Sequence, residues 1–572
     1  MKTEEIKKQI AILGGGPSGL FMYKRLVESG NTNFEIDIYE RKNTLGAGMP
    51  YSLEGANDEH VTNVSDNETP EIVTSISDWI LTLPSEILER FAIDPERFTE
   101  YKVLPRLLFG YYLADQFKLL QQKGDEAGIT TRVQYNSNVL DISYNEHEKE
   151  VWVETITDKK KFDYVVICTG HNWPVRYEGK VKGYFDAPYP PSKLLLKLNH
   201  AVAIKGSSLT AIDAIRTLAR ENGMFTKDEN GNLSFQNHAE SPDFKMIMHS
   251  RSGMLPAVRF HLEDSHLGNS SLLTEEEIEL HRRSNDGFLS LDFVFEKDFK
   301  DIFRDKDPEF YNRIKELSIE EFVVEMMELR ERLEPFQLLK AEYVQAEKSI
   351  KRQESVYWKE MLAVLSFAMN HPAKYLSAED MQRLQKVLMP LISIVIAFVP
   401  QKSCVELLAL HHAGVLDIIP VGAESSVEPQ TDGGIVYHFS DEENNPKSVY
   451  YETFVDCVGQ PHLSYNDFPF KSLLSQKAVS PAKIKFKSNE IGHIAFSENN
   501  TSIEKDSTGS YFLNVSGIAI NDNFQIINHY GAYNENLYIM AVPYIGGYNP
   551  DYSGLDFCEA ASLRILNSMN ID

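Results

Sequence analysis

The hexapeptide Gly14-Gly15-Gly16-Pro17-Ser18-Gly19 follows a short apolar run, Gln9–Leu13, and opens a stretch of helical periodicity. A second apolar run, Glu35–Tyr39, then stops at Glu40. Strand, G-x-G-x-x-G turn, helix and strand ending in a carboxylate make up the pattern that binds a dinucleotide. Gly14 permits the tight turn, Gly16 the close approach of a pyrophosphate, and Gly19 close contact between helix and strand. With Pro17 and Ser18 opening the helix, its backbone N–H groups and dipole favour the phosphates. Glu40 lies 21 residues beyond Gly19. There it accepts both hydroxyls of an adenosine ribose and repels a 2′-phosphate.

The stretch "HAVAIKGSSLTAIDAIRTLARENG", His200 to Gly223, repeats the arrangement with a different turn. Gly206, Ser208 and Leu209 belong to a G-x-S-x-x-A version that ends at Ala211. Its serine adds a Cβ where the pyrophosphate approaches. Two outcomes follow: a nicotinamide dinucleotide bound with Ser208 donating a hydrogen bond, or a βαβ unit that is only structural. The intact strand–turn–helix context favours binding. Arg251 adds to that, because it falls just after "FKMIMHS", where an arginine receives the 2′-phosphate of NADP. On its own, Arg251 reads equally well as a surface ion-pair partner.

Other chemistries leave no mark. There is no GxSxG, HExxH or GxxxxGK[ST] pattern. The four cysteines, Cys168, Cys404, Cys457 and Cys558, are far apart and form no CxxC. That disfavours a dithiol redox centre and a cysteine-based zinc site, and no metal is expected. His60, His171, His249 and His529 lie near the motifs or their flanking strands, but none has a partner at a spacing that marks an acid or base.

The elements that must position these residues can be read in outline. Strands are expected at Gln9–Leu13, Glu35–Tyr39 and Phe162–Gly170, with "VLDISYN" and "EVWVETIT" forming an antiparallel hairpin. A polar, Asn/Gly-rich excursion spans Lys227–Asp243. From about Thr274 to Leu410 the chain reads as helical. There "TEEEIELH", "SIEEFVVEMMELRERL" and "SAEDMQRLQKVL" each open with Ser or Thr three residues before Glu or Asp. "FVDCVG" and "NLYIMAVP" read as buried strands, and "GLDFCEAASLRILNSM" as a last helix.

A chain of 572 residues calls for two or three domains. Its net charge of -27 argues against nucleic acid and anionic membrane partners, which leaves a small molecule. Sparse cysteines and an N-terminus without a signal peptide point to the cytoplasm. The most apolar run, "LISIVIAFV", is too short to span a bilayer and reads as a buried helix or strand.

"GGGPSGL", followed by "YERKNTLGAGMPYS" and "HVTNVSDNETP", resembles the bacterial FAD/NAD(P)-binding family. These are two-dinucleotide flavoproteins distantly related to flavin monooxygenases and amine N-hydroxylases. The resemblance implies that Glu40 and Arg41 contact the adenosine side of FAD. It also implies that Gly46, Gly48, Met49, Tyr51, Asn63 and Val64 line the flavin, and that the backbone of Val139 meets the adenine. "ICTGH" is similar to the family's strand that closes over the nucleotide, which brings in Thr169 and Gly170. No Asp follows Ala541, where many flavoproteins place a ribityl contact. Gly554, Leu555 and Asp556 instead offer a helix N-terminus to the flavin pyrimidine ring.

The expected fold class is α/β, with four parts: an FAD-binding Rossmann-like domain (1–195), a nested NAD(P)-binding unit (196–260), a mainly helical insertion (261–410), and a return to the nucleotide-binding domains (411–572). The expected cofactors are FAD and NADP(H) or NAD(H). The expected function is an oxidoreductase, first of all a monooxygenase that hydroxylates a small molecule. The alternatives are a reductase or dehydrogenase without oxygen activation, and a non-enzymatic flavin-binding interaction protein with a vestigial nicotinamide site.

Overall fold

Two parallel sheets carry the two glycine turns. The computed structural model describes residues 7–171, 173–263, 272–370, 372–441, 443–460, 463–498, 500–551 and 554–571. The strands of the two sheets, in chain order, are β1 (Lys8–Leu13), β2 (Phe34–Tyr39), β3 (Thr130–Gln134), β4 (Tyr164–Ile167), β5 (Tyr184–Phe185), β6 (Ala201–Lys205), β7 (Lys245–Ser250), β8 (Leu416–Pro420), β9 (Thr453–Asp456), β10 (Gln525–Ile527) and β11 (Tyr533–Ile539). The first sheet has the order β10-β11-β4-β1-β2-β3, parallel except for β10. The second is wholly parallel, in the order β5-β9-β6-β7-β8.

The strands are near-continuous apolar runs because both faces of each sheet are covered, one by helices and the other by a three-stranded antiparallel sheet. Val151, Val153 and Phe162 lie in the core of the first, and Ile435, Tyr437 and Tyr451 pack with Ala203 and Phe454 of the second. All of β4, Tyr-Val-Val-Ile, is buried. In each sheet the strand before the glycine turn has the next strand on one side and a much later strand on the other: β1 lies between β2 and β4, and β6 between β7 and β9. This is the switch point where open α/β sheets bind ligands, beyond the strands' carboxyl ends. The helices that leave the two turns are α1 (Pro17–Glu28) and α3 (Leu209–Asn222). Two more helices matter below: α2 (Arg106–Glu126) and the last helix, α4 (Gly554–Ser568).

The expected hairpin is an antiparallel meander, because Lys159–Phe162 adds a third strand. Its Lys-Lys-Lys-Phe sequence gives no apolar alternation to read. The polar excursion supplies one strand of a hairpin, Leu233–Asn237, which pairs with Gly223–Lys227 at the end of α3.

The middle of the chain is helical, and the caps lie at the expected residues. The side chains of Thr274, Ser318 and Ser377 accept from the N–H groups of Glu277, Glu321 and Asp380. "LISIVIAFV" falls largely in the helix Met389–Ile396. A small sheet of Pro481–Lys485, Ile503–Lys505 and Tyr511–Ile518 adds Ile484, Phe486, Ile503, Tyr511 and Leu513 to the core of this helical part. That stretch was expected to return to the nucleotide-binding units. Among the described residues no helix is long and apolar enough to cross a membrane.

Candidate functional site

The first turn is fixed by backbone contacts. Gly14 has φ +110°, and a Cβ there would lie 2.5 Å from the Cys168 carbonyl oxygen. At Gly19 a Cβ would lie 2.0 Å from the Gly14 carbonyl oxygen, so α1 sits directly on the turn. A Cβ at Gly16 would meet Gly48 Cα at 3.2 Å, which makes Gly16 the seat of the Gly48 loop. Glu40 Oε2 accepts from the Gly15 N–H at 2.8 Å, and Oε1 accepts from the Lys42 N–H at 2.9 Å. The carboxylate therefore braces the turn and keeps further lone pairs for a ligand.

A cleft of about 420 Å³ opens over this turn. Of the residues singled out in the sequence, Gly14, Gly16, Pro17, Ser18, Glu40, Arg41, Gly48, Met49, Tyr51, Val139, Thr169, Gly170, Gly554 and Leu555 line it. Gly19 lies behind the wall, against Gly14. Gly46, with φ +89°, packs on the Leu113 carbonyl of α2. Asn63 and Val64 belong to a short strand, Val61–Ser65, where the Asn63 carbonyl accepts from Arg259. Asp556 is buried in the first turn of α4.

Two polar atoms of the wall, Thr169 Oγ1 and His171 Nδ1, are buried without a hydrogen-bond partner. Buried polar atoms are normally satisfied, so these two fit a polar ligand in the cleft. With the glycine cradle and Glu40, the donor and acceptor set suits a dinucleotide. The Cys168 and Cys558 thiols also line the cleft. Burial pushes Cys558 up to about 12 and raises Cys168 well above its ordinary value. Both are therefore protonated at neutral pH. Among the described residues no group of three metal-ligating side chains occurs.

The second turn follows the first in register. Leu13 pairs with Tyr39 and Ile167, and Lys205 pairs with His249 and Asp456. Gly206, φ +107°, thus corresponds to Gly14, and its Cβ would meet the Cys457 carbonyl oxygen at 2.8 Å. Ser208 caps α3 by position without a side-chain capping bond. Ser207 Oγ donates to the Met254 carbonyl at 2.7 Å. Ser250 stands where the first unit has Glu40, and Arg251 where it has Arg41. Arg251 is exposed just past β7, and its side chain has no ion-pair partner among the described residues.

The ends of the two sheets meet. One residue past Gly170 is His171, and one past Gly459 is Gln460, the matching position of the second unit. The Gln460 side chain lies close to the His171 ring, across the units. Burial lowers the His171 pKa and the neighbouring Gln460 side chain partly restores it, so the ring is neutral. Trp173 Nε1 donates to the Gly459 carbonyl at 3.3 Å. Neither contact has a signature in sequence, since each joins residues of separate units.

A buried polar cluster fastens the units beneath this seam. Arg106 Nη1, at the start of α2, lies 2.5 Å from Asp213 Oδ2 on α3, and Tyr189 donates to the same oxygen at 2.7 Å. The arginine holds the Asp213 pKa below its ordinary value against the opposing effect of burial. His60 is fully buried beside them. The Asn57 N–H donates to its Nδ1 at 3.0 Å, which leaves the proton on Nε2, 3.1 Å from Thr217 Oγ1. His60 is thus a structural tie between units. His249 is another buried ring, stacked on Tyr437 with centroids 4.2 Å apart. Of the four histidines singled out, only His171 lines the cleft.

Two stretches of the chain match known domain families. Residues 11–172 match the FAD-NAD(P)-binding family, and residues 274–396 match the YdhS-like middle domain. The matched model is that of an FAD-NAD(P)-binding domain, which supports FAD and NAD(P)H as the cofactors. Among individual proteins it is similar to the uncharacterized protein YdhS of Escherichia coli (strain K12). The two are 27% identical over 476 residues, or 82% of this chain and 86% of that one. Among solved structures, L-lysine 6-monooxygenase from Pseudomonas syringae aligns with TM-score 0.46 and 11% identity, covering 98% of each chain. Bacillithiol disulfide reductase from Staphylococcus aureus aligns with TM-score 0.41 and 11% identity, also covering 98% of each chain.

Proposed function

We propose that NAD(P)H bound at the second turn reduces FAD bound at the first, and that the reduced protein hydroxylates a small molecule. One observation carries the redox half: the carboxyl ends of the two sheets meet, where Trp173 Nε1, just past the first, donates to the Gly459 carbonyl just past the second. Bound FAD supplies hydride acceptance and electron transfer to oxygen. The protein's own part is positional. The Gly14–Gly19 turn and α1 hold the pyrophosphate, and Glu40 holds the ribose. Thr169 and His171 offer the cleft two free hydrogen-bonding atoms, and Gly554 and Leu555 bring the N-terminus of α4 to the far wall. Arg251 holds a 2′-phosphate. Hydroxylation balances when NAD(P)H, a proton, oxygen and substrate give NAD(P)⁺, water and hydroxylated substrate. The monooxygenase reading rests on the sequence resemblance. The cysteines weigh against the disulfide reductase alternative, because no two form a CxxC and the two in the cleft are protonated.

The test is anaerobic mixing of FAD-loaded protein with NADPH and then NADH, following loss of the oxidised flavin absorbance. Rapid bleaching is expected, faster with NADPH. No bleaching by either nucleotide would overturn the enzymatic reading in favour of a flavin-binding interaction protein. Oxygen admitted after reduction, with candidate substrates screened for a hydroxylated product by mass spectrometry, separates a monooxygenase from a reductase. Reoxidation that yields only hydrogen peroxide across the screen would support the reductase.

A further inference from the structure

A second cavity, of about 140 Å³, lies where the helical middle meets α4 and the turn that precedes β10. It adjoins the flavin cleft. Phe557 is on the wall of both, and from there Ala560, Ala561 and Arg564 continue the second cavity's wall along α4. Positions i, i+3, i+4 and i+7 form one face of a helix, so a single stripe of α4 runs from one cavity into the other.

The wall is chemically selective. Phe367, Phe524, Tyr548 and Phe557 give it four aromatic rings, and Phe524 meets Phe557 edge-on with centroids 5.7 Å apart. Its charged groups neutralise one another: Lys374 pairs with Asp522, and Arg564 pairs with Glu275 at 2.8 Å. One polar atom is left over. Asn549 is 1% exposed; its Nδ2 donates to the Asp551 carbonyl, but its Oδ1 is buried with no hydrogen-bond partner. An engineered apolar cavity of roughly 150 Å³ holds a benzene molecule, so the volume suits a single ring.

We propose that this cavity is a binding site for a neutral, single-ring aromatic molecule with one hydrogen-bond donor, a phenol in its simplest form, whose donor meets Asn549 Oδ1. The rings supply edge-to-face contacts. The orphan acceptor favours a phenol over a hydrocarbon of equal size, because only a donor satisfies it. A carboxylate or an ammonium gains no partner there, since each charge on the wall is already matched. Because Phe557 is shared, occupancy changes the surroundings of the flavin cleft. The site does not depend on the redox reading, and its binding is measurable without NAD(P)H.

The experiment is calorimetric titration of the full-length, FAD-loaded protein with phenol and with toluene, with the flavin absorbance spectrum recorded alongside. Saturable phenol binding, about tenfold tighter than toluene, is expected, the factor corresponding to one net hydrogen bond. Asn549→Leu should remove the preference and leave toluene affinity unchanged, which also shows that the variant is folded. Ala561→Phe should abolish binding of both while FAD content stays constant. Absence of a saturable phenol isotherm in the wild type, equal affinity for phenol and toluene, or unchanged phenol affinity in Ala561→Phe would each overturn the proposal. Should Asn549→Leu fail to fold, the wild-type preference and Ala561→Phe decide the matter.

Discussion

At the first turn a carboxylate, Glu40, closes on the backbone of Gly15; at the second, the same register position holds Ser250, and the residue after Gly206 is a serine whose hydroxyl is spent on Met254. The backbone is nearly the same in both. Gly14 and Gly206 have φ values of +110° and +107°, and each sits under the carbonyl of a cysteine at the end of the neighbouring strand. Path and ligand selectivity are thus set separately. Strand register and a glycine at the tightest point fix the path. The side chains just beyond the strands decide what the turn will hold.

The largest expected effect asks whether the two turns are held as one device. Asp213→Ala leaves Arg106 buried without its counter-charge, a change that typically costs 3–5 kcal/mol. Denaturant unfolding should show a loss of that order. FAD should remain bound while reduction by NADPH slows. Unchanged reduction in a destabilised variant would mean that the cluster supports folding without setting the relation of the turns.

Acid should strain the second unit more than the first, because their matching strand ends carry His249 and Tyr39. Burial holds His249 down at about 4, so it is neutral in the fold. The unfolded chain takes up the proton below its ordinary pKa of about 6.5. Stability from this group is therefore complete above about pH 6.5 and is lost as pH falls towards 4, by about 3 kcal/mol in all. His249→Phe keeps the stack on Tyr437 and should flatten the pH dependence of the unfolding midpoint over that window.

Selectivity should follow the side chains beyond the strands. Arg251→Ala should weaken NADPH by roughly 1.5–3 kcal/mol, the range for hydrogen bonds to charged groups, and leave NADH nearly unchanged. Ser250→Glu should copy the first turn and shift preference to NADH. Stopped-flow reduction with each nucleotide reads both, and equal falls with the two nucleotides would assign Arg251 to the fold.

The smallest effects separate the third positions of the motifs, Gly19 and Ala211. Gly19→Ala sets a Cβ against the Gly14 carbonyl and should cost about 1–3 kcal/mol and reduce FAD content, as overpacking does. Ala211→Gly should cost only about 0.5–1 kcal/mol, the backbone entropy of glycine in a helix, without changing flavin content. Thermal unfolding and released flavin measure both.

Sequence reading found what is local. The first strand–turn–helix, the second turn with its serine, and the helix starts at Thr274, Ser318 and Ser377 all follow from spacing over a few residues. The glycines were legible as a group, and so was the close packing at Gly19, but the task of Gly46 was not. Gly46 packs against Leu113 of α2, and what presses on a backbone there comes from elsewhere in the chain. The same reason hid the Arg106–Asp213 pair and the Trp173–Gly459 bond, which join distant stretches. The sheet of Pro481–Lys485, Ile503–Lys505 and Tyr511–Ile518 escaped because short strands leave little periodicity to count.

The pairing of β11 with β4, Leu537 beside Val165, bears on how the chain is made. During synthesis the first sheet waits for the end of the polypeptide before β4 gains its outer neighbour. The helical part likewise waits for Ile503, Tyr511 and Leu513 to complete its core, and the second sheet for β9. All three cores therefore stay open until late in translation and close in quick succession. Long loops must shut before those pairings form, which slows folding. A premature stop before β11 would leave the core of the first sheet unsealed rather than yield a shorter working protein.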